Sequence, residues 1–176
     1  VLKPAAARLD REERFPHEHW KPLADLGFLG LLIPEEHGGA GLGNLALAIV
    51  LEELNRACAS TGVTASVQNS LVGGPIVRFG TEAQKRKYLP RLATGELVGA
   101  YAITEPGHGS DAGAIETTAV RKGDRYLLNG RKAWITSGAT AGVVIVFATT
   151  DRSLGSKGIT AFLVEKGSRG FSAGKH

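Results

Sequence analysis

The chain has 176 residues, which is room for one ordinary domain or two small ones with a substantial core. Hydrophobic residues make up 43% and charged residues 22%, and the mean hydropathy of −0.03 excludes a disordered tail and a fibrous protein. The net charge of +4 would suit a polyanion, but basic and acidic residues alternate without a basic run, so a phosphate-bearing small molecule fits as well as a nucleic acid.

The residue types also limit where in the cell the protein is expected. The longest strongly apolar stretch, residues 142–148, is far shorter than the ~20 residues that cross a bilayer, so we expect no membrane association. Cys58 is the only cysteine and the histidines are scattered, which excludes an internal disulfide and gives no metal-ligand spacing. We therefore expect no metal and a cytoplasmic protein, with the mitochondrial matrix as the alternative. The sequence contains no methionine, so we also expect it to be part of a longer protein.

The first half of the chain is predicted to be helical. Residues 16–26 favour a helix that leads into an apolar run, and a second helix is expected after Asn44, a suitable N-cap. Apolar residues then recur at helical spacing, and they are Leu47, Val50, Leu51, Leu54 and Cys58.

Two further helices are marked by their ends. Pro75 suits the first turn of a short helix that ends at Gly80. Thr81 and Gln84 have the spacing of a capping box, and we expect the helix that they open to falter before Pro90.

Three patterns in this half favour ordinary structure over a functional site. Gly41 to Ala46 fits a loose dinucleotide-binding fingerprint, but no strand leads directly into it, which favours a tight loop between helices. His17 and His19 diverge on a helix and cannot share a metal, so we expect solvated histidines. Cys58 ends an apolar face and is expected to be a small buried hydrophobe.

The second half of the chain is predicted to form β-strands. Short β-rich segments cover residues 98–104, 117–121, 125–128, 131–136, 143–149 and 159–164. Asn129-Gly130 is a two-residue hairpin signal, and residues 122–124 form a second turn, so the strands are expected to be antiparallel. The predicted fold is an all-α helical domain at residues 1–96, followed by an antiparallel β-barrel or sandwich domain at residues 97–176.

The stretch from Tyr101 to Asp111 is the most informative part of the sequence. A strand ends in Thr104 and passes into a loop whose glycines allow backbone N–H groups to approach a ligand, while Ser110 supplies a hydroxyl donor. Donors without fixed charge suit a pyrophosphate or the edge of a flavin. A strand followed by a simple Pro-Gly turn is the alternative.

Trp134, Ile135 and Thr136 follow further along the chain. On a strand, alternation places Trp134 and Thr136 on one face, where an aromatic plane and a hydroxyl could meet a flat heterocycle. The alternative is that Trp134 belongs to the core of the sheet.

Taken together, these motifs resemble the acyl-CoA dehydrogenase family, and the resemblance covers essentially the whole chain. Ile33 to Gly41 is similar to a family loop in which tyrosine is more usual than His37. The most specific match is the Thr-Glu-Pro-x-x-Gly-Ser-Asp core with Trp-Ile-Thr downstream. Glu52-Glu53-Leu54 and Asn69-Ser70-Leu71 also fall in familiar places.

The resemblance implies a third, C-terminal helical domain, absent from this chain, and FAD held between the last two domains. It implies that Thr104 bonds the pyrimidine side of the flavin, Thr136 bonds near N5 and Trp134 packs on the ring. Ser110 would reach both the pyrophosphate and the bound thioester. The implied cofactor-binding residues are Tyr101, Ala102, Ile103, Thr104, Gly109, Ser110, Trp134, Ile135 and Thr136.

The implied reaction is the FAD-dependent α,β-dehydrogenation of acyl-CoA thioesters to trans-2-enoyl-CoA, in fatty-acid or amino-acid catabolism. In this family the catalytic carboxylate comes from the C-terminal domain, so we expect the base beyond His176, not at Glu105, and we expect this chain alone to be inactive. The resemblance further implies an electron-transferring flavoprotein as acceptor and a homotetramer. An acyl-CoA oxidase and a non-catalytic acyl-CoA or flavin-binding relative are the alternatives.

Overall fold

A computed structural model describes residues 2–174, so the predicted β domain ends in two residues outside this range. Helices come first in the described chain, and strands follow. The helices are α1 (Leu2–Arg11), α2 (His17–Asp25), α3 (Gly43–Ala57), α4 (Ala59–Ser66), α5 (Gly74–Phe79) and α6 (Glu82–Ala93), with a π-helical turn at Val67–Gly73. The strands are β1 (Gly99–Ala102), β2 (Thr118–Lys122), β3 (Arg125–Asn129), β4 (Val143–Thr149) and β5 (Ile159–Glu165). The predicted order of a helical region before a β-sheet domain is confirmed.

The ends of α5 and α6 show how local signals shape the helical half. Pro75 lies in the first turn of α5, which ends before Gly80 as predicted. Thr81 and Gln84 form the capping box, each side chain accepting a hydrogen bond from the other's main-chain N–H (3.3 and 2.8 Å). The expectation that α6 falters before Pro90 is wrong, because the helix continues to Ala93. Its final turns are fixed by core packing, which outweighs the one main-chain hydrogen bond that proline cannot donate.

Three expectations about the first helices have different outcomes. Helix α3 begins at Gly43, and Leu42 rather than Asn44 holds the N-cap position. Cys58 is buried, as predicted. His17 is exposed as expected, but His19 is only 3% exposed, so the prediction of a solvated side chain is wrong for it. His19 shares the buried face of α2 with its neighbours Trp20 and Leu23.

The strands form one mixed sheet in which β4 is central. Strand β4 pairs in parallel with β1 and, through Thr118 and Thr149, with β2, and it pairs antiparallel with β5. Strands β2 and β3 form an antiparallel hairpin. The expectation of a wholly antiparallel sheet is therefore wrong for two strand pairs, β1 with β4 and β2 with β4. The long connection between β1 and β4 brings β4 beside β1 in the same direction.

Of the two predicted turns, the one at residues 122–124 is confirmed as a hairpin and the one at Asn129-Gly130 is wrong. Strands β2 and β3 are joined at Gly123-Asp124, since Lys122 pairs with Arg125. Asn129-Gly130 closes no hairpin, because residues 131–136 do not form a strand. Gly130 is needed for close packing instead, since a Cβ there would lie 2.3 Å from the Thr117 hydroxyl oxygen.

Two apolar layers fix the sheet. One layer packs the helices against it, with Leu89 and Leu92 of α6 in the same cluster as Val143 and Ile145 of β4. The other layer covers the opposite face and is built on small residues; its buried members are Ala100, Ala102, Ala141, Val144 and Val146. Within residues 2–174, none of the helices has the length and apolar character needed to cross a membrane.

Candidate cofactor site

A tight turn follows β1 and leads into the glycine-rich loop. Glu105 and His108 exchange two main-chain hydrogen bonds of 3.0 and 3.1 Å, which close the turn at Pro106-Gly107. The next residues, Gly109 and Ser110, are exposed. A Cβ at Gly109 would meet nothing within 4 Å, so the loop offers open space along its main chain.

The Trp134 to Thr136 segment lies directly beside this loop. The main-chain N–H of Ala133 donates to the Thr104 carbonyl oxygen at 3.0 Å, and this bond brings the two motifs together. The segment is not a strand, so the prediction that alternation places Trp134 and Thr136 on one face is wrong. Trp134 instead has a left-handed backbone with φ of 59° and is 92% exposed. Its indole is presented to solvent by a turn and takes no part in the core.

Several hydroxyl groups at this junction have no hydrogen-bond partner among residues 2–174. Among residues 2–174, no hydrogen bond uses the side chains of Thr104, Ser110 or Thr136. The Ser137 hydroxyl is buried without a partner, and Ser137 also has a positive φ of 62°. The sequence analysis missed Ser137, because only the backbone geometry distinguishes it from a loop serine. The unused hydroxyls suit a ligand that carries hydrogen-bond acceptors.

Glu105 is buried and fully engaged by hydrogen-bond donors. Its carboxylate accepts from the Lys132 ammonium (2.7 Å), from the Thr117 N–H (2.9 Å) and hydroxyl, and from the Glu116 N–H. Burial raises the pKa of Glu105, but the hydrogen bonds from Lys132 and Thr117 outweigh it and lower the pKa from 4.5 to about 2. A carboxylate with this pKa, held by four hydrogen bonds, is a poor general base. The expectation that Glu105 is not the catalytic base agrees with this environment.

The remaining predicted residues have different surroundings. Tyr101 points to the helical side of the sheet, packs on Phe147 with ring centroids 4.9 Å apart and lines an apolar cleft of about 360 Å³. Burial raises the pKa of Tyr101. The side chains of Ala102 and Ile135 pack in the apolar layer on the opposite face. These two residues can therefore contact a ligand only through their main-chain atoms. Ile103 uses its carbonyl oxygen to accept from Lys132 at 3.0 Å.

The donor set at this junction fits a flavin. It combines hydroxyls without fixed charge, open main chain at Gly109 and an exposed indole at Trp134, which match the polar edge, the pyrophosphate and the planar ring of FAD. Residues 2–174 contain no group of three or more histidine, cysteine or acidic side chains placed to hold a metal ion.

Comparisons with known proteins agree with this chemistry. The family model described as acyl-CoA dehydrogenase, N-terminal domain, matches residues 1–96, and that of the middle domain matches residues 100–176. The mitochondrial short-chain specific acyl-CoA dehydrogenase of Mus musculus is 52% identical over 174 residues, which are 99% of this chain and 42% of the relative.

Two solved structures are also similar. Butyryl-CoA dehydrogenase from Megasphaera elsdenii has a TM-score of 0.92 and 41% identity, covering 99% of this chain and 46% of that one. A glutaryl-CoA dehydrogenase from Mycobacterium smegmatis in complex with FADH2 has a TM-score of 0.91 and 37% identity, covering 98% and 43%. The chain therefore spans less than half the length of these relatives.

Proposed function

Because the chain belongs to the acyl-CoA dehydrogenase family, we propose that the protein of which it forms part is an FAD-dependent oxidoreductase. Its reaction converts an acyl-CoA thioester into the trans-2-enoyl-CoA by removing one α-hydrogen as a proton and one β-hydrogen as a hydride, which carries both electrons. Residues 1–96 would form the N-terminal helical domain and residues 97–176 part of the middle β domain. The observation that carries the proposal is the hydrogen bond from Ala133 to Thr104, which places the two flavin motifs side by side.

Bound FAD supplies the acceptor for the two electrons that leave the substrate. The hydroxyls of Thr104 and Thr136 would donate to the edge of the ring, and Trp134 would cover part of its face. Gly109 and Ser110 donate to the pyrophosphate through their main-chain N–H groups. Each hydrogen bond to the ring contributes on the order of 1–3 kcal/mol in a site from which water is excluded.

Ser110 has a second role in this proposal. It is exposed at the end of the loop, where its hydroxyl can also contact the bound thioester. The loop that carries Ser156 packs nearby, since a Cβ at Gly113 would lie 3.9 Å from the Cβ of Ser156. We therefore place the CoA portion of the substrate along this edge of the sheet.

The catalytic base lies outside residues 2–174 in this proposal. Glu105 is the one buried carboxylate of the described chain, and its lone pairs and low pKa are committed to Lys132 and Thr117. By the family resemblance, the base is a carboxylate of the C-terminal helical domain, which this chain does not cover. The substrate class is inferred from the relatives, whose names point to short acyl chains such as butyryl-CoA.

We also propose that electrons pass to an electron-transferring flavoprotein and that the complete subunits form a homotetramer. Both proposals are supported by the family resemblance of the Tyr101–Asp111 and Trp134–Thr136 motifs. We propose a cytoplasmic protein, with the mitochondrial matrix as the alternative; the Mus musculus relative is a mitochondrial protein.

Anaerobic reduction of the complete protein by butyryl-CoA tests the proposed function. We expect bound FAD to lose its visible absorbance as enoyl-CoA forms, and slow reoxidation in air. Rapid reoxidation with peroxide release would identify an acyl-CoA oxidase instead. Flavin that no acyl-CoA reduces, in a protein that binds acyl-CoA, would identify a non-catalytic relative and overturn the proposal.

A further inference from the structure

A buried ion pair ties the two motif segments to each other. Glu105 and Lys132 are 27 positions apart in sequence, and their charged atoms lie 2.7 Å apart. The side chains are only 4% and 11% exposed. Within the described residues 2–174, it is the most buried of the ion pairs.

The pair acts on the residues that the proposed function places against the flavin. The Lys132 ammonium also donates to the Ile103 carbonyl oxygen at 3.0 Å, and the adjacent Ala133 N–H donates to the Thr104 carbonyl oxygen at 3.0 Å. Three consecutive residues of one loop, 103–105, are therefore bonded to two consecutive residues of the other, 132 and 133. This arrangement fixes where Thr104 lies relative to the turn that begins at Trp134.

The Lys132 ammonium bonds none of the strands that form the centre of the sheet. Strands β1, β4 and β5 are held by their own ladders and by the two apolar layers, and Lys132 lies in a loop beyond the strand ends. Glu105 also accepts from Thr117, beside the single β2–β4 pairing at Thr118 and Thr149, and this contact stays when only Lys132 is changed.

The turn after Lys132 contains left-handed backbone at Trp134 and Ser137, which persists only when its surroundings hold it. On one side of the turn, Lys132 and Ala133 stabilise it through their hydrogen bonds to residues 103–105. On the other side, the Ser137 carbonyl oxygen accepts from the N–H groups of Thr140 and Ala141.

We propose that Glu105 and Lys132 are positioning residues, which set the distance between Thr104 and the Trp134–Thr136 turn and thereby the binding and the redox potential of the flavin. The inference rests on the proposed function. It assigns no contact between either residue and the flavin or the substrate.

Lys132→Met in the complete protein tests the inference, since methionine keeps an unbranched side chain only one atom shorter and removes the charge and the donors. We expect at least a tenfold loss of affinity for FAD in reconstitution of the apoprotein, a shifted midpoint potential, and slower reduction at saturating butyryl-CoA. Binding of a non-reducible acyl-CoA analogue to the loaded protein should change less than twofold, because no contact with the substrate is lost.

Two controls separate positioning from loss of stability. Lys132→Arg keeps the charge and the donors, so it should recover most of the affinity and the potential. Lys122→Met removes a charge from the exposed end of β2 and should leave both unchanged. The double variant Glu105→Gln with Lys132→Met should lose less than the sum of the single variants, because it buries no unpaired charge.

The outcomes are distinct. A wild-type protein that holds no flavin, or flavin that no acyl-CoA reduces, overturns the proposed function and this inference with it. Lys132→Met with a lower unfolding temperature but unchanged FAD affinity and midpoint potential shows a purely structural pair and overturns the inference alone. If Lys132→Met does not fold, the same potential and affinity are measured in Glu105→Asp, which keeps the charge and withdraws it by one methylene; unchanged values there also overturn it.

Discussion

Trp134 and Ser137 show how single residues give the candidate site its shape. Both have positive φ, which costs roughly 1–2 kcal/mol for a residue with a side chain. Main-chain hydrogen bonds hold the turn, but the Trp134 indole is almost entirely exposed and the Ser137 hydroxyl is buried without a partner, so neither side chain has a contact within the described chain that accounts for its position. Strain of this kind concentrates where a ligand binds. The flavin is the ligand that we propose for this turn.

Removing the hydroxyl of Thr136 tests the redox role of that turn. Thr136→Val in the complete protein should shift the midpoint potential to more negative values, because the reduced ring loses a hydrogen-bond donor. A loss of about 1–2 kcal/mol corresponds to roughly 5- to 30-fold slower reduction by substrate. Thr136→Ser restores a hydroxyl and serves as the control. If reduction kinetics and the flavin spectrum of Thr136→Val match those of the wild type, Thr136 does not belong to the site.

Gly109 allows a steric test of the pyrophosphate contact. A Cβ at Gly109 meets no protein atom within 4 Å, so Gly109→Val should fold normally. It should nevertheless purify with little FAD, because the added side chain occupies the space in which the main chain approaches the cofactor. Gly107→Val is the matched control, since Gly107 is equally open and lies in the turn beside Pro106. Normal flavin content in Gly109→Val, measured by absorbance after denaturation, would exclude the pyrophosphate role.

The low pKa of Glu105 predicts how stability depends on pH. Folding lowers this pKa from 4.5 to about 2, so the ionised carboxylate is favoured in the folded state. Its contribution to the free energy of unfolding is therefore complete above about pH 4.5 and is lost as the pH falls from 4.5 through 2. Charged groups nearby are Lys132, which bonds the carboxylate, and His108 and Glu116, which face each other at 3.9 Å.

We expect the unfolding temperature of the wild type to fall more steeply below pH 4.5 than that of Glu105→Gln, which has no carboxylate to titrate. Thermal unfolding between pH 6 and pH 3, at constant ionic strength, measures the difference. If the unfolding temperatures of the two proteins change in parallel with pH, the ionised Glu105 carboxylate does not stabilise the folded protein.

Among the elements, the π-helical turn Val67–Gly73 connects the helical half to the strand that leads into the site. The Gln68 side chain donates to the carbonyl oxygens of Leu92 and Leu97 and accepts from the Gly99 N–H, each at 2.8 Å. Gly99 begins β1, where a Cβ would lie 2.6 Å from Val72. One buried amide thus anchors the start of β1, and with it the position of Thr104 two residues beyond the end of the strand.

Gln68→Met should destabilise the protein by about 2–4 kcal/mol, because the Leu97 carbonyl oxygen and the Gly99 N–H lose their partner, while the Leu92 carbonyl oxygen keeps only the Gly95 N–H. Ser70→Ala is the control in the same turn; it removes a bond to Ser66 within the helix and should cost less than about 1 kcal/mol. Chemical denaturation followed by tryptophan fluorescence gives both values. Equal losses for the two variants would show that the links to Leu97 and Gly99 contribute little.

The elements also show which parts of the fold could be read from sequence. The capping box at Thr81 and the first-turn Pro75 were predicted because their signals act within a few residues. The continuation of α6 past Pro90 depends on core contacts that no local pattern contains. The turn at residues 131–136 was predicted as a strand, because its β-rich composition carries no trace of the bonds to Ile103, Thr104 and Glu105. The motifs identified the site, but its geometry depends on contacts between distant segments.

At the scale of the whole molecule, the helical half and the sheet share one core. Ile33, Val72 and Leu89 lie in the same apolar cluster as Val143 and Ile145. This shared layer favours one folding unit over two independent domains, although the family models divide the chain near residue 97. The candidate flavin site lies away from this layer, in loops where Gly109, Ser110 and Trp134 are exposed.

The same exposure leads to a prediction for the 176-residue chain expressed by itself with added FAD. The residues proposed to hold the flavin form one open wall, and hydrogen bonds that remain in contact with water contribute little to affinity. We therefore expect weak flavin binding and no dehydrogenation. The chain spans less than half the length of its relatives, and its one buried carboxylate within residues 2–174 has a pKa of about 2. General-base catalysis typically increases the reaction rate by ~10²–10⁴-fold. The Glu105 carboxylate is too weak a base to provide this increase, because its pKa is low.

The test incubates the purified chain, shown to be folded by circular dichroism, with FAD, butyryl-CoA and an artificial electron acceptor. Enoyl-CoA formation should not exceed that of FAD without protein, while the complete protein under the same conditions turns over. Sustained enoyl-CoA formation by the chain alone would place the base within its 176 residues. In that case Glu105→Gln would be the first variant to examine, because loss of the activity would show that its carboxylate leaves Lys132 and Thr117 when substrate binds.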